Sequence, residues 1–319
     1  MPTARLKRTL KRCCPPVLWG ALRKLGRPFR TGPRVLRTLE ELDRRIGRVD
    51  AIAAEEDDDA MRSALHDFRF DPGMALPADP HSSEYADAQR RIYEYVAGRQ
   101  TYDAAKNEWV ELDLKRHVES PFPYSTRSSV TVGEQLMAIG FLTKAMNLHP
   151  GDRILEFGPG WGNTTIQFRQ MGNHVTAVDV NPLFLDVIQL RLDKLGLDIE
   201  TAAADMLEYQ AAEPYERVVF FECFHHCADH VRMIRNLDRL VAPGGMVVFG
   251  GEPITDDFPV PWGLRLDGMS VWSTRKHGWL ELGFRTDYFR DLLRRHGWRS
   301  DIQESHDVPW MRVITARKI

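Results

Sequence analysis

Three glycines at alternate positions follow a short apolar run that contains one acidic residue. Gly158, Gly160 and Gly162 come directly after residues 153–157, in which the acid is Glu156. Glycine lets a strand turn sharply, and because it has no Cβ its backbone amides approach a ligand closely. The spacing is not that of the dinucleotide fingerprint, and no Gly-Lys-Ser/Thr of a phosphate loop follows. A carboxylate at the loop favours a positively charged ligand over a pyrophosphate, which it would repel.

A second acidic residue closes the next apolar run of the chain. Asp179 ends the stretch His174-Val-Thr-Ala-Val-Asp179, 23 residues after Glu156. A carboxylate at the end of a second parallel strand is positioned to accept both hydrogen bonds of a ribose diol. Alternatively, Asp179 only caps the next helix. This structural role is compatible with binding a ribose.

These features, in this order, resemble the class I S-adenosylmethionine-dependent methyltransferases, and the resemblance covers about residues 125–319. It implies that the glycine loop holds the methionine part of S-adenosylmethionine and that Asp179 holds the ribose. It also implies that Asp205 meets the adenine amino group while Met206 packs on the ring, with Trp161 as a further neighbour of the loop. The residues expected to bind this cofactor are Glu156, Gly158, Gly160, Gly162, Asn163, Asp179, Asp205 and Met206.

A histidine pair follows the fourth expected strand, in Phe221-Glu-Cys-Phe-His-His-Cys-Ala-Asp229. The segment looks like Leu-His-His-x-x-Asp, which many members of this family carry at that place, beside the sulfonium. His225 and His226 are therefore candidates for the base that removes a hydroxyl proton, because imidazole titrates near neutral pH. The pair recurs in relatives with unrelated substrates, which favours a partly structural role. Glu222, at the strand end, is an alternative base or a ligand for a substrate hydroxyl.

We expect no metal site around the histidine pair, although several potential ligands are close in sequence. Cysteines four positions apart at a strand end do not converge easily with adjacent histidines, and zinc sites prefer closer pairs on turns. Cys223 and Cys227 are expected to be small buried hydrophobic residues. The potential ligands considered are Cys223, His225, His226, Cys227 and His230.

Residues 251–285 interrupt the regular pattern and contain three tryptophans among glycines and charged side chains. Aromatic faces stack on the C–H faces of sugars, while Arg, Asp and Glu satisfy sugar hydroxyls. The alternative is that the tryptophans only anchor a loop to the sheet. Tyr124, just ahead of the domain, is a candidate for a lid. The candidate substrate contacts are Trp262, Arg265, Asp267, Trp272, Trp279 and Tyr124.

Placing these residues together requires a parallel sheet, because the carboxyl ends of its strands share one edge. The alternation predicts an α/β fold with a Rossmann-like, seven-stranded, mostly parallel sheet and helices on both faces, preceded by an N-terminal helical extension. Strands are expected at 153–157, 174–179, 198–202, 217–223, 245–250, 299–304 and 310–317. Helices are expected near 84–95, 131–147, 162–171, 182–195, 230–241 and 286–296. The expected segments are a basic amphipathic tail at 1–31, a helical extension and linker at 32–120 and the methyltransferase domain at 121–319, with 251–285 as a substrate-covering insertion.

Composition indicates a globular protein, with 43% hydrophobic and 28% charged residues, and the net charge is −2. Residues 1–37 contain eleven Lys or Arg and no acid, so the remainder has 32 basic against 45 acidic residues. A body of about −13 argues against nucleic-acid binding. The basic tail suits an anionic membrane surface, with a solvated tail as the alternative. Four cysteines and no convincing signal peptide favour a cytoplasmic location, peripheral on the inner membrane face if the tail attaches.

Apolar residues also recur at heptad spacing between Val35 and Ala53, after Pro33. This seam at 33–53 either pairs two chains as a homodimer or packs on the body of the same chain.

We therefore predict an S-adenosylmethionine-dependent methyltransferase that O-methylates a sugar in a bacterial surface glycan or its lipid-linked precursor. The insertion is also similar to that of methyltransferases made alongside surface-polysaccharide glycosyltransferases. The main alternative is an acceptor that is a small metabolite, lipid or natural product. A non-catalytic scaffold that retains the cofactor is the second alternative.

Overall fold

The computed structural model describes residues 32–54, 58–98, 101–122 and 128–319. The predicted basic tail at 1–31 and the candidate lid residue Tyr124 lie outside these ranges. The described residues form twelve strands and eleven α-helices. The strands are β1 (Arg34–Leu36), β2 (Phe68–Phe70), β3 (Arg153–Phe157), β4 (His174–Asp179), β5 (Glu200–Ala203), β6 (Tyr215–Phe221), β7 (Val241–Gly250), β8 (Ile254–Thr255), β9 (Trp262–Leu264), β10 (Leu282–Arg285), β11 (Trp298–Glu304) and β12 (Arg312–Lys318). The helices are α1 (Leu39–Ala53), α2 (Asp58–His66), α3 (Ser83–Ala97), α4 (Ala104–Asn107), α5 (Leu114–Glu119), α6 (Ser129–Met146), α7 (Asn163–Gln170), α8 (Pro182–Asp193), α9 (His230–Leu240), α10 (Gly268–His277) and α11 (Thr286–Arg295).

Seven strands form the central sheet in the order β11-β12-β7-β6-β3-β4-β5. The five strands from β7 to β5 are parallel, and β12 runs antiparallel to both of its neighbours. This confirms the predicted mostly parallel, seven-stranded α/β sheet. The chain moves outward from β3 to β5 and then returns to β6 on the other side of β3. In such open sheets the ligand crevice lies at this reversal, outside the carboxyl ends of the strands.

The sheet is buried on both faces, as a parallel sheet covered by helices requires. Alternate residues of each strand face opposite sides, so that Phe220 and Phe249 pack in one apolar cluster while Val219 and Val248 pack in another. Helix α6 covers the second face through residues that include Leu142. Helices α9 and α11 cover the first.

The N-terminal extension packs on the insertion within the same apolar cluster as the sheet. Helix α1 begins after Thr38, whose side chain accepts a hydrogen bond from the Glu41 amide, so it starts later than the heptad pattern predicts. The predicted seam at 33–53 buries Leu42, Ile46 and Val49 inside the chain. Those side chains are therefore not available for pairing with a second copy.

The insertion is itself folded. Strands β8, β10 and β9 form a three-stranded sheet, and α10 lies between β9 and β10 in the chain. Within the described ranges, none of the helices combines the length and apolarity required to cross a bilayer.

Candidate functional site

The glycine-rich loop connects β3 to α7 with all three glycines at positive φ. The φ angles are +58° at Gly158, +53° at Gly160 and +75° at Gly162. A Cβ on Gly158 would lie 2.5 Å from the Cβ of Cys223, and one on Gly162 would lie 2.4 Å from Cγ1 of Ile188. Gly160 lines a cavity and has open space where a Cβ would be. Packing therefore requires glycine at positions 158 and 162, whereas Gly160 leaves its backbone open to a ligand.

Glu156 and Asn163, both predicted to bind the cofactor, do not line that cavity. Glu156 is 1% exposed and accepts hydrogen bonds from the hydroxyls of Thr164 and Thr165, in the first turn of α7. Burial raises the pKa of Glu156 to about 7, although both hydroxyls favour the ionised form. Asn163 donates from Nδ2 to the Pro121 carbonyl at 2.6 Å. Both side chains therefore position the loop.

Gly162, also predicted to bind the cofactor, does not line the cavity either, whereas Gly158 and Gly160 line it from the loop and Asp179, Asp205 and Met206 line it at the ends of β4 and β5. Asp179 ends β4 and accepts a 2.8 Å hydrogen bond from the amide of Asn181. Burial raises the pKa of Asp179 to about 7. Asp205 follows β5 and accepts a 2.8 Å hydrogen bond from the amide of Leu207, and Met206 lies between them.

The cavity has a volume of about 440 Å³ and lies where β3, β4 and β6 end. Its walls carry four carboxylates, and among the described lining residues there is no lysine or arginine. Such a wall attracts cationic groups and repels phosphates. The acidic lining residues are Glu108, Asp179, Asp205 and Glu222.

Sequence reasoning missed one wall of the cavity, which the extension supplies. Tyr102 and Glu108 line it, and the Tyr102 hydroxyl lies 2.9 Å from Oε1 of Glu108 and 3.1 Å from the His226 carbonyl. Glu108 also accepts a 2.9 Å hydrogen bond from the Leu280 amide, in the insertion. Residues 101–112 carry no recognisable motif, so only the packing of the extension on the domain identifies them.

Glu252 organises the turn that contains the histidine pair. Its carboxylate accepts hydrogen bonds from the amides of Cys223 and Phe224, at 2.9 and 2.8 Å, and from the His225 amide at 3.2 Å. Nδ1 of His225 donates to the same carboxylate at 2.8 Å. Burial opposes the charge on Glu252, but these donors outweigh it and lower the pKa. His225 is buried and does not line the cavity.

His226 lines the cavity and is held by the insertion. Its Nδ1 donates to the Leu280 carbonyl at 2.7 Å and lies 3.5 Å from Oε2 of Glu108. Burial opposes its charge, but the carboxylates of Glu108 and Glu281 raise the pKa overall. One ring nitrogen from each of His225 and His226 and a carboxylate oxygen of Glu281 lie within 4.8 Å of one another. Sequence reasoning did not connect Glu281 with the pair.

Glu222 also lines the cavity, from the end of β6. It adopts a φ of +53°, which is unusual for a residue other than glycine and is often found at functional sites. The surrounding protein and the charge of Glu252 raise the pKa of Glu222 to about 7. A carboxylate with that pKa is suited to accept a proton near neutral pH.

Three predicted substrate contacts lie away from the cavity and join the insertion to other parts of the chain. The indole of Trp262 donates to the Pro80 carbonyl at 2.8 Å, and that of Trp272 donates to Asp50 at 2.9 Å. Asp267 caps α10. Their positions support the anchoring alternative, because packing and capping occupy these side chains.

Of the other predicted substrate contacts, Trp279 lines the cavity. Its Nε1 is buried without a hydrogen-bond partner in the described part of the chain, and its ring stacks on that of His277, with the ring centroids 4.7 Å apart. Arg265 does not line the cavity and pairs with Asp267 at 3.2 Å and with Glu281 at 3.6 Å.

Cys223 and Cys227 line the cavity, whereas His230 does not. Cys223 and Cys227 are buried, and burial raises the pKa of both thiols. Sγ of Cys223 donates to the Phe157 carbonyl at 2.9 Å. Nε2 of His230 lies 2.9 Å from the Tyr288 hydroxyl. None of the three belongs to the cluster of His225, His226 and Glu281.

Comparison with known proteins gives the class. Residues 154–245 match a family model described as a methyltransferase domain. Residues 154–245 therefore lie in a methyltransferase domain, and the sheet order and the glycine loop agree with the predicted resemblance to class I, S-adenosylmethionine-dependent methyltransferases.

Individual relatives match parts of the chain. The ubiquinone biosynthesis O-methyltransferase of Stutzerimonas stutzeri is 32% identical over 101 residues, 31% of this chain and 44% of that protein. The chain thus spans less than half the length of that curated relative. The protein-L-isoaspartate O-methyltransferase of Anaeromyxobacter dehalogenans is 27% identical over 162 residues, 50% of this chain and 72% of that protein. A crystal structure of Burkholderia thailandensis 1,6-didemethyltoxoflavin-N1-methyltransferase, with 1,6-didemethyltoxoflavin and S-adenosylhomocysteine bound, has a TM-score of 0.45 and 21% identity over 76% of this chain and 92% of that one.

Proposed function

We propose that this protein transfers the methyl group of S-adenosylmethionine to an oxygen atom of an acceptor. One observation carries the proposal: a cavity at the carboxyl edge of the sheet joins the bare loop at Gly160 to Asp179 and Asp205, and its described lining residues include four carboxylates and no lysine or arginine. An acidic cavity suits a ligand that carries a sulfonium and an ammonium group.

The residues fit the cofactor in three places. The backbone at Gly160 is open to the methionine part. Asp179 presents a carboxylate to the two ribose hydroxyls, and Asp205 with Met206 offers an acceptor and an apolar surface to the adenine. Bound there, the cofactor would supply a methyl group whose carbon an acceptor oxygen would attack in line, with the carbon–sulfur bond breaking and its electron pair going to sulfur.

The chain's own groups orient the acceptor oxygen and take its proton. Glu222 and His226 line the cavity, and both are candidates for that proton transfer. Tyr102 and Glu108 form the wall on the side that the extension supplies. A positioned general base contributes about 10²–10⁴-fold to the rate of such a step.

Calorimetry with S-adenosylhomocysteine and a methyl-transfer assay test the proposal. Glu222→Gln is expected to lower kcat by about 10²-fold with the cofactor Kd within threefold of the parent value. The exposed change Glu111→Gln is the matched control and should alter neither value. Absence of cofactor binding by the parent protein would remove the proposal. Cofactor binding without transfer to any acceptor would indicate the scaffold alternative.

For the acceptor we propose a sugar hydroxyl of a surface glycan or its lipid-linked precursor. Support comes from Trp279, an aromatic residue that lines the cavity and stacks on the His277 ring, and from wall carboxylates that accept hydrogen bonds from hydroxyls. A purified glycan acceptor should accept methyl groups, and Trp279→Phe should raise the acceptor KM by about tenfold, roughly 1.4 kcal/mol.

A small hydroxylated metabolite is the competing acceptor, favoured by the partial match to a ubiquinone biosynthesis O-methyltransferase. Small phenols and amines, assayed beside the glycan, separate the two. Transfer to a phenol with no glycan product would replace the sugar proposal.

We also propose that residues 1–31 attach the protein to an anionic membrane surface, where a lipid-linked precursor would be reached. The support is the excess of basic residues in this segment. Deleting residues 1–31 should reduce co-sedimentation with anionic vesicles but not with neutral ones. Unchanged co-sedimentation would exclude this role.

A further inference from the structure

The cluster of His225, His226 and Glu281 has the composition of a metal site, and the turn beside it fixes both rings. One ring nitrogen of each histidine and one carboxylate oxygen lie within 4.8 Å of one another. His225 and Glu281 are buried and His226 is half-buried. A cation between these three atoms could bind all of them at once.

Both histidines already have the hydrogen bond that metal-ligating histidines usually make through their second nitrogen. Nδ1 of His225 donates to Glu252 at 2.8 Å, and Nδ1 of His226 donates to the Leu280 carbonyl at 2.7 Å. Such partners fix the tautomer and the ring orientation and increase the basicity of the other nitrogen. Nε2 is therefore the nitrogen that each ring has available for a metal ion.

Direct interactions do not satisfy the cluster. Nε2 of His225 lies 3.7 Å from Oε2 of Glu281, which is longer than a hydrogen bond. Arg265 approaches the same oxygen at 3.6 Å, also beyond hydrogen-bond distance. Arg265 thus forms an ion pair with this carboxylate without occupying it through a hydrogen bond.

We propose that His225, His226 and Glu281 bind one divalent transition-metal ion of the Zn²⁺, Fe²⁺ or Mn²⁺ class. Two imidazoles and one carboxylate favour these ions over Mg²⁺ and Ca²⁺, which prefer oxygen ligands alone. Three protein ligands leave coordination positions open, as catalytic sites require and closed structural sites do not.

The location gives the ion a role in the proposed methyl transfer, on which this part of the inference rests. His226 and Trp279 both line the cavity, so an ion held by His226 lies at its wall. Coordination of the acceptor hydroxyl to the ion would lower the pKa of that hydroxyl. His226 would then be a metal ligand, and Glu222 would receive the proton as the oxygen–methyl bond forms.

The binding test uses the full-length chain without an affinity tag, stripped of metal with a chelator. Titration with Zn²⁺ alone by calorimetry, and with Co²⁺ by visible absorption, should show one ion bound per chain. Glu281→Gln and His226→Gln should each weaken binding by tenfold or more. Glu252→Gln, which alters a positioning residue, should weaken it by about 10-fold or more while leaving all three ligands in place.

Two variants serve as controls. Glu222→Gln removes a carboxylate of the same cavity that is not in the cluster, and His306→Gln removes an exposed histidine. Both should bind Zn²⁺ as the parent protein does. The proposal is overturned if the parent protein binds no ion, or if the correctly folded Glu281→Gln and His226→Gln variants bind it as tightly as the parent. Circular dichroism establishes that each variant is folded.

Measuring S-adenosylhomocysteine affinity on the same samples separates this inference from the proposed function. Cofactor binding and methyl transfer by a protein that takes up no ion would end the metal proposal alone. Ion binding without cofactor binding would retain the metal site and remove the methyl-transfer role.

Discussion

Asp179 illustrates at the residue scale how burial and ligand chemistry interact. Its carboxylate is 7% exposed, and burial raises its pKa to about 7. Two hydrogen bonds from a ribose diol require the ionised form, since a protonated carboxyl has one fewer acceptor. Burial therefore disfavours the ionised form of Asp179, but it also strengthens any hydrogen bond that a ligand makes to the ionised carboxylate.

Asp179→Asn is expected to reduce the affinity for S-adenosylhomocysteine by about tenfold or more, because a lost charged hydrogen bond costs about 1.5–3 kcal/mol. In the parent protein the affinity should increase as the pH rises through about 7. The asparagine variant should lose that dependence. Calorimetry between pH 6 and pH 8 provides both measurements, and equal affinities for the two proteins would contradict the assignment.

Glu156 predicts a pH dependence of stability. Its pKa is about 7 in the folded chain against 4.5 for the unperturbed group, so the folded state retains a proton that the unfolded state has lost. This contribution to stability is fully present below pH 4.5 and is lost as the pH rises through 7. The loss amounts to roughly 3 kcal/mol, from 1.4 kcal/mol per pKa unit. Urea unfolding of Glu156→Gln should therefore show a flatter pH profile than that of the parent, and parallel profiles would contradict the prediction.

At the element scale, strand ends and the turns that follow them build the site. Strands β3, β4 and β6 each end at the cavity, and β7 leads to Glu252, which fixes the turn after β6. The Glu252 carboxylate thus accepts hydrogen bonds from three consecutive backbone amides that lie outside the strands. This explains why the segment holds a defined shape outside regular secondary structure.

Glu252→Gln should lower the free energy of unfolding by about 2–3 kcal/mol, because charged hydrogen bonds to buried amides are weakened or lost. Glu111→Gln, at an exposed position, should change it by less than about 0.5 kcal/mol. Urea unfolding followed by circular dichroism measures both. A similar small change in the two variants would show that the turn does not depend on this carboxylate.

At the scale of the whole molecule, the extension is part of the domain's structure. The side chain of Gln89, in α3, donates to the Trp262 carbonyl and accepts from the Leu264 amide, both at 3.1 Å. The hydroxyl of Tyr93 donates to the Gly278 carbonyl at 2.6 Å. The extension therefore supports the insertion that carries Leu280 and Glu281 to the histidine pair.

Gln89→Ala should destabilise the protein by about 1–3 kcal/mol, since the buried Leu264 amide loses its acceptor and the Trp262 carbonyl keeps only the hydrogen bond from the Tyr85 hydroxyl. Gln303→Ala, at an exposed position of β11, is the matched control and should have little effect. Because the extension and the sheet share one apolar cluster, tryptophan fluorescence and circular dichroism should report a single unfolding transition. Two separated transitions would show that the extension is an independent unit.

Local sequence was sufficient to predict the framework of the cofactor site. Strands β3 and β4 begin and end where the apolar runs do, Asp179 ends β4, and Asp205 follows β5 as predicted. Apolar alternation and glycine spacing act over a few residues, so they can be read without knowing the fold. The start of α1 was displaced because Thr38 supplies a cap and the residues before it pair as a strand.

Only the tertiary structure decided which distant residues complete the site. It joins Glu281 to His225 and His226, brings Tyr102 and Glu108 to the cavity, and keeps Trp279 there while Trp262 and Trp272 anchor the insertion. These contacts join positions far apart in the chain, and they depend on how whole elements pack. No local pattern encodes such packing, because a tryptophan that anchors and one that lines a cavity have the same sequence signal.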